Sequence, residues 1–145
     1  MSNVTRISVK EASDRLAEGY TYLDVRTAEE FAEGHPPLAV NVPIAHAAPG
    51  GMAPNPDFGR VMGAAFARDA KLIVGCKSGG RSLRAAAELV AAGFTAVLEL
   101  RPGWDGARDP FGQISEPGWS RASMPVERGQ PGGRAWDDVG RKALG

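Results

Sequence analysis

Residues 72–82 read Leu72-Ile73-Val74-Gly75-Cys76-Lys77-Ser78-Gly79-Gly80-Arg81-Ser82, and Leu83-Arg84-Ala85-Ala86-Ala87-Glu88-Leu89-Val90 follows directly. The short apolar run ending at Val74, rich in β-branched residues, predicts a buried strand. The Ala- and Leu-rich segment after Ser82 predicts a helix, because these residues are strong helix formers. Between them lies a glycine-containing loop that opens with the chain's single cysteine. A strand that turns tightly into a helix N-terminus aims backbone N–H groups at whatever the loop holds. The unpaired first-turn amides and the helix dipole both favour an anion there. With Lys77 and Arg81 beside the thiol, its pKa is expected to fall. Cys76 is therefore expected to be a reactive thiolate.

On either side of this stretch the chain alternates strand-like and helix-like pieces. Thr5-Arg6-Ile7 is a short strand candidate. Ser8-Val9-Lys10-Glu11 fits a capping box, opening a helix that runs to about Glu18 and stops at Gly19. Its buried side is expected to carry Ala12, Leu16 and Val9. Tyr20–Val25 predicts a strand, and Thr27-Ala28-Glu29-Glu30 predicts a second capping box with a short helix ending near Gly34. Ala39–Val42 is a third strand candidate, closed by Pro43.

Ala45 to Asn55 is Gly, Pro and Ala with little periodicity, which predicts a surface loop. Asn55-Pro56 predicts a helix start, with Asn55 as N-cap and Pro56 in the first helical position. Phe58, Val61, Met62 and Ala65 would then face inward. After the central strand and the Ala-rich helix, which ends at Gly93, Ala96–Leu100 is the last clear strand. Strands alternating with helices predict an α/β domain around a mostly parallel sheet. In such sheets, sites lie outside the carboxyl ends of the strands, which is where Cys76 falls.

The whole-chain numbers narrow the function classes. The 145 residues suit one domain with a real core. The formal net charge is zero, which gives no bulk attraction to nucleic acid or a membrane surface. No run approaches the roughly 20 apolar residues of a membrane span, and Met1–Arg6 lacks the apolar core of a secretion signal. One cysteine forms no internal disulfide and suits a reducing, cytoplasmic setting. One Cys and two His argue against a Cys/His zinc site, so no metal is expected.

Beyond Arg101 the composition shifts to Gly and Pro with scattered Arg and Asp, and no strong helix or strand is predicted before Arg134. Asp137, Asp138 and Val139 suggest a short terminal helix. Trp119 and Trp136 are costly to expose, so this region is expected to pack over the domain.

Taken together, these motifs resemble the rhodanese-like domain, the sulfurtransferase fold, over roughly residues 4 to 127. The resemblance rests on Leu23-Asp24-Val25-Arg26 with Glu30-Phe31 and Gly34-His35, on Asn41-Val42-Pro43, on Cys76 through Ser82, and on Ala92-Gly93-Phe94. Asn55-Pro56-Asp57-Phe58 and Val74-Gly75-Cys76 look most like the small single-domain type. The implied fold is a mostly parallel central sheet with helices on both faces. The implied layout is a rhodanese-like domain over 1–127, with an insertion around 105–117, and a packed C-terminal arm over 128–145. Two departures stand out. Pro36-Pro37 replaces the usual apolar residue after Gly-His. Arg101-Pro102-Gly103-Trp104 and Gly118-Trp119 both match the segment that ends the fold, although both cannot occupy one place.

What the resemblance implies is sulfur transfer. The Cys76 thiolate would attack thiosulfate or a similar donor, release sulfite, and pass the outer sulfur from a persulfide to cyanide or a thiol. Backbone N–H groups across Lys77, Ser78, Gly79, Gly80, Arg81 and Ser82 would cradle the donor's oxyanion, with Lys77 and Arg81 adding positive charge. No cofactor is implied, and no general base, because the thiolate is already formed. Asp24 and Arg26 are expected to pair structurally near the site, and His35 to bond backbone in its turn. Trp104 either lines the mouth or packs. The expected partners are small sulfur-containing anions and thiols, or a protein sulfur acceptor, with no nucleic acid and no membrane; the sequence leaves the oligomeric state open.

Other readings exist. A lone cysteine in a small protein is most often an inert core residue, and the loop around it argues the other way. A Cys-based phosphatase or arsenate reductase would use five residues between Cys and Arg, where this loop has four. A binding module would typically lack the cysteine, whereas a persulfide carrier serving a protein partner would keep it.

Overall fold

The computed structural model describes residues 4–145. A five-stranded sheet forms its centre, built from β1 (Thr5–Ile7), β2 (Thr21–Asp24), β3 (Val40–Asn41), β6 (Lys71–Gly75) and β7 (Ala96–Leu100). Their spatial order is β1-β7-β6-β2-β3, and every pairing is parallel. The central strand β6 carries the apolar run Leu72-Ile73-Val74, all buried, as a sheet covered on both faces requires. The period of two decides which face each side chain joins. Leu72 and Val74 of β6 and Leu23 of β2 point into one core layer; Ile73 and Tyr22 point into the other.

Helices cover both faces, as the resemblance implied. α1 (Val9–Ala17) and α2 (Ala28–Glu33) lie on the Ile73 side and bury Val9, Ala12 and Phe31 there. α3 (Phe58–Ala65), α4 (Gly80–Ala91) and α5 (Trp136–Leu144) lie on the Leu72 side. Both capping boxes form as the sequence predicts. Ser8 Oγ accepts from Glu11 N at 3.1 Å while Ser8 N donates to Glu11. Thr27 and Glu30 repeat the arrangement on α2.

Four expectations need correction. Residues 45–54 form an antiparallel hairpin, β4 (Ala45–Ala48) and β5 (Gly51–Pro54), turning at Pro49-Gly50. Every residue of β5 is exposed, so the hairpin buries too little to stamp an alternating pattern on its sequence. Asn55 does not cap α3. Its Oδ1 accepts from Asp57 N at 2.9 Å and its Nδ2 donates to Pro43 O at 2.8 Å, making a turn that delays the helix to Phe58. Ala65 is exposed at the end of that helix, with Phe58, Val61 and Met62 buried. The region after β7 holds a second hairpin, β8 (Gly106–Arg108) and β9 (Ile114–Pro117), followed by a 3₁₀ turn at Trp119–Arg121. Its strands are three and four residues long, below what a hydrophobic pattern can reveal.

Gly103-Trp104 and Gly118-Trp119 sit side by side rather than competing for one place. Trp119 N donates to Gly103 O at 2.9 Å and Gly118 N to Asp105 O at 3.2 Å. The β8–β9 hairpin therefore leaves and rejoins the fold at one point. Trp119 is buried and its Nε1 donates to Pro125 O at 2.7 Å. The Pro36-Pro37 turn is closed by Ala39 N donating to Pro36 O at 3.1 Å, with Leu38 at φ 68°.

The C-terminal residues are tied down by one clasp. His35 and Glu127 exchange backbone hydrogen bonds at 2.9 and 2.8 Å. The buried His35 ring stacks on Phe31, with Nδ1 2.6 Å from Phe31 O and Nε2 2.9 Å from Glu127 Oε1. Arg134 completes the group with two bonds to the Glu127 carboxylate, and its carbonyl accepts from Asn41 N at 2.8 Å. α5 then lays Val139 into the core beside α3.

The hydrogen bonds from Arg134, then from His35, hold the Glu127 carboxyl at about 2, against an ordinary 4.5. A depressed carboxyl contributes stability that is full above its unfolded value and is lost as pH falls toward the folded one. Amide protection of α5 is therefore expected to fall as pH drops from about 4.5 to about 2, and to fall less across that window in Glu127→Gln. Equal acid sensitivity of the two proteins in hydrogen exchange would refute the clasp.

Candidate active site

Cys76 follows β6 at its carboxyl end, in the middle of the sheet. The chain turns through Lys77 and Ser78 to Gly79, whose φ of 100° is open to glycine and strained for other residues. That conformation points Gly79 N back at the sulfur, donating to Cys76 Sγ at 3.1 Å. The α4 helix begins at Gly80, two residues before Ser82, so the first turn of the helix carries Arg81 and Ser82 into the loop. Ser82 Oγ lies 3.2 Å from Sγ. Cys76 itself is 2% exposed.

The loop rests on the segment after β7. Trp104 N donates to Cys76 O at 2.7 Å and Asp105 N to Lys77 O at 2.9 Å. Gly103 makes this approach possible. It adopts φ 68°, and a Cβ there would stand 2.7 Å from Lys77 O and 2.8 Å from Cys76 O.

Three carboxylate–arginine pairs surround the loop. Asp24 and Arg26, both buried, pair through Arg26 Nε and Nη2, and Nη2 also donates to Gly34 O at 2.6 Å. Burial works against the Arg26 charge, and Asp24 more than offsets it, so its pKa is raised. Glu30 and Arg81 form a two-point pair at 2.7 and 3.0 Å. Burial alone would raise the Glu30 carboxyl, but Arg81 and the Thr27 cap together hold it at about 2. The third pair joins Arg6 Nε to Glu99 Oε1 at 2.6 Å, and Glu99 is wholly buried behind Ser82.

The residues singled out in the sequence are thus brought together, with different duties. Gly79 and Ser82 address the sulfur directly. Arg81 presents its guanidinium to Glu30, so much of its charge is compensated within the fold. Lys77, Ser78 and Gly80 are exposed. Lys77 lines an adjoining cavity of about 390 Å³ with Arg26, Trp104 and Arg128, and the carboxylates of Glu30, Glu33 and Asp105 share its wall. Trp104 both lines this cavity and packs, with the Arg26 guanidinium carbon 5.0 Å from its ring. Among the described residues, no cluster of His, Cys, Asp and Glu is arranged to hold a metal ion.

Sequence reasoning missed Glu99 and Arg6. The available signal was a carboxylate inside the otherwise apolar strand Ala96-Val97-Leu98-Glu99-Leu100, where burial without a partner is prohibitive.

Comparison with known proteins places this geometry in a family. The Rhodanese-like domain family matches residues 8–109, and the chain belongs to it. The chloroplastic thiosulfate sulfurtransferase 16 of Arabidopsis thaliana is 46% identical over 98 residues, 68% of this chain and 82% of that protein. The mitochondrial Protein HIGH ARSENIC CONTENT 1 of the same plant is 36% identical over 104 residues, 72% of this chain and 62% of that protein. The crystal structure of Rv0390 from M. tuberculosis superposes with a TM-score of 0.73 at 27% identity, covering 88% of this chain and 100% of that one.

The support beneath the loop is testable. Gly103→Ala forces both a strained φ and a collision with two loop carbonyls, and should destabilise the protein by about 1–3 kcal/mol. Urea denaturation reads this, and an unchanged midpoint would show that the loop does not depend on that contact.

Proposed function

We propose that the protein transfers sulfane sulfur through a persulfide on Cys76, with thiosulfate or a similar small anion as donor and a thiol as acceptor. The observation that carries this reading is the sulfur's setting. It stands at the end of a central parallel strand and within hydrogen-bonding distance of a backbone N–H and a hydroxyl. Those donors favour an anionic sulfur. The family's membership of the sulfurtransferases supports the reaction type.

The steps use this chain's own groups. The thiolate attacks the outer sulfur of the donor, the sulfur–sulfur bond of thiosulfate breaks, and its electron pair leaves with sulfite. The negative charge then rests on the outer sulfur of Cys76, beside the amides that start α4, where the helix dipole stabilises it. A thiolate acceptor attacks that outer sulfur and regenerates the Cys76 thiolate. No second cysteine exists to intercept the persulfide as an internal disulfide, so the sulfur must leave to an external acceptor. The adjoining cavity carries both signs of charge, which suits a zwitterionic or peptidic thiol as well as a small anion. A reducing compartment such as the cytoplasm fits a chain that works through a free thiol.

Transfer of a tetrahedral oxyanion is the less favoured reading, even with a relative named for arsenic content. Only four residues separate Cys76 from Arg81, and the Arg81 guanidinium is engaged by Glu30. An oxyanion would have to compete with that carboxylate.

Intact-protein mass spectrometry after incubation with thiosulfate is expected to show the gain of one sulfur atom, which is lost on adding cyanide or a thiol. Cys76→Ser should fold normally and gain nothing, because its hydroxyl is nearly isosteric but far less acidic. A mass gain that survives in Cys76→Ser would place the carrier elsewhere.

A further inference from the structure

The hydrogen bonds behind Cys76 do not balance without an extra proton. A serine hydroxyl carries one hydrogen, yet Ser82 Oγ lies 3.2 Å from Cys76 Sγ and 2.5 Å from Glu99 Oε2. Ser82 and Glu99 are both wholly buried, and Cys76 is nearly so. If the sulfur and the carboxylate were both anionic, one would face Ser82 without a hydrogen. The chain Sγ–Oγ–Oε2 is satisfied in two arrangements. In the first, the thiol donates to Ser82, and Ser82 donates to a Glu99 carboxylate. In the second, a protonated Glu99 donates to Ser82, and Ser82 donates to a thiolate. They differ by the concerted shift of two hydrogens along one line.

We propose that Glu99 is the internal proton acceptor for Cys76, acting through Ser82. The Cys76 S–H bond breaks as its proton passes to Ser82 Oγ, while the hydroxyl's own proton passes to Glu99 Oε2. No net charge leaves the site and no water is needed. This amends the sequence-level expectation that no general base is required, and it rests on the reading of Cys76 as the sulfur-carrying nucleophile. Glu99 is a positioning residue, since it reaches the sulfur only through Ser82. Arg6 sets the balance. Its Nε donates to Oε1, which leaves Oε2, the oxygen facing Ser82, as the one that carries the proton, and its Nη2 stands against Gly79, the residue whose N–H addresses the sulfur. The other titratable and charged groups facing this line are Tyr22 and Asp24 from β2, Arg26 just after it, Arg81 from α4, and Arg101 after β7.

The test is the pH profile of Cys76 alkylation by iodoacetamide, which does not require sulfur transfer. In Glu99→Gln the side-chain oxygen must face Arg6, leaving the amide N–H to face Ser82 as a permanent mimic of the protonated acid. Its profile is expected to move to lower pH by about one unit. Ser82→Ala removes the donor to sulfur and should move the profile up. In the Ser82→Ala background, Glu99→Gln should lose most of its effect, because the coupling runs through the hydroxyl. An equal shift in both backgrounds would mean simple through-space charge and would overturn the relay, as would no shift at all. Should the variants fail to fold, the wild type still decides. Alkylating Cys76 at constant pH should abolish a buried carboxylic-acid carbonyl stretch in the infrared difference spectrum, and an unchanged spectrum would overturn the proposal. A coupled profile in a protein that never gains sulfur would reject the sulfurtransferase reading alone. A persulfide formed with no coupling would reject only the relay.

Discussion

A loop that turns its amides inward around one sulfur turns its carbonyls outward, and those carbonyls must find donors elsewhere. Here Cys76 O and Lys77 O find them in Trp104 N and Asp105 N. That need explains much of what lies beyond β7. The backbone must come close, so position 103 is a glycine in the left-handed region. The next layer must come close to Gly103 and Trp104 in turn, and a Cβ on Gly118 would stand 2.6 Å from Gly103 O. The site is thus supported by three stacked lengths of backbone, with the buried Trp119 closing them onto the sheet.

Charge provides the second level of organisation. Asp24–Arg26, Glu30–Arg81 and Arg6–Glu99 each bring a carboxylate and a guanidinium close to the cysteine loop. A pair buried at both ends, as Asp24–Arg26 is, adds little stability over apolar substitutes, because desolvation offsets much of the attraction. Breaking one is another matter, since the abandoned partner then sits unpaired in a poor solvent for ions. What such pairs secure is geometry. Glu30 caps α2 and grips Arg81 on α4, so two helices on opposite faces of the sheet are joined at the end where the sulfur lies.

The parts of the chain that were legible are those in which a local rule and the global fold demand the same thing. Both capping boxes were readable because reciprocal hydrogen bonds fix a Ser/Thr-x-x-Glu spacing, and the run Leu72–Val74 and the strand Ala96–Leu100 because burial imposes a pattern on them. The hairpins at 45–54 and 106–117 were not, since they bury little and their pairing is carried by backbone and turn residues. Asn55 misled because a side chain that can cap a helix can equally close a turn and bind Pro43 O. Within the site, Cys76, Gly79 and Ser82 were identifiable from one contiguous stretch. Arg6 and Glu99 lie 93 residues apart, and only the parallel pairing of β1 with β7 brings them together.

The β8–β9 hairpin begins and ends at one place. Gly118 N returns to Asp105 O, Glu116 pairs with Arg101, and beyond that base the hairpin projects outward, with Phe111 near its tip 88% exposed. Closing a longer loop between fixed ends costs only slowly growing entropy. The segment is therefore a mechanically decoupled graft point. Its length and composition can drift over evolutionary time, or be rewritten by an engineer, while the cysteine loop beneath registers only the two fixed ends. A protein whose chemistry needs an immobile sulfur has in this way kept a freely variable surface within one turn of it.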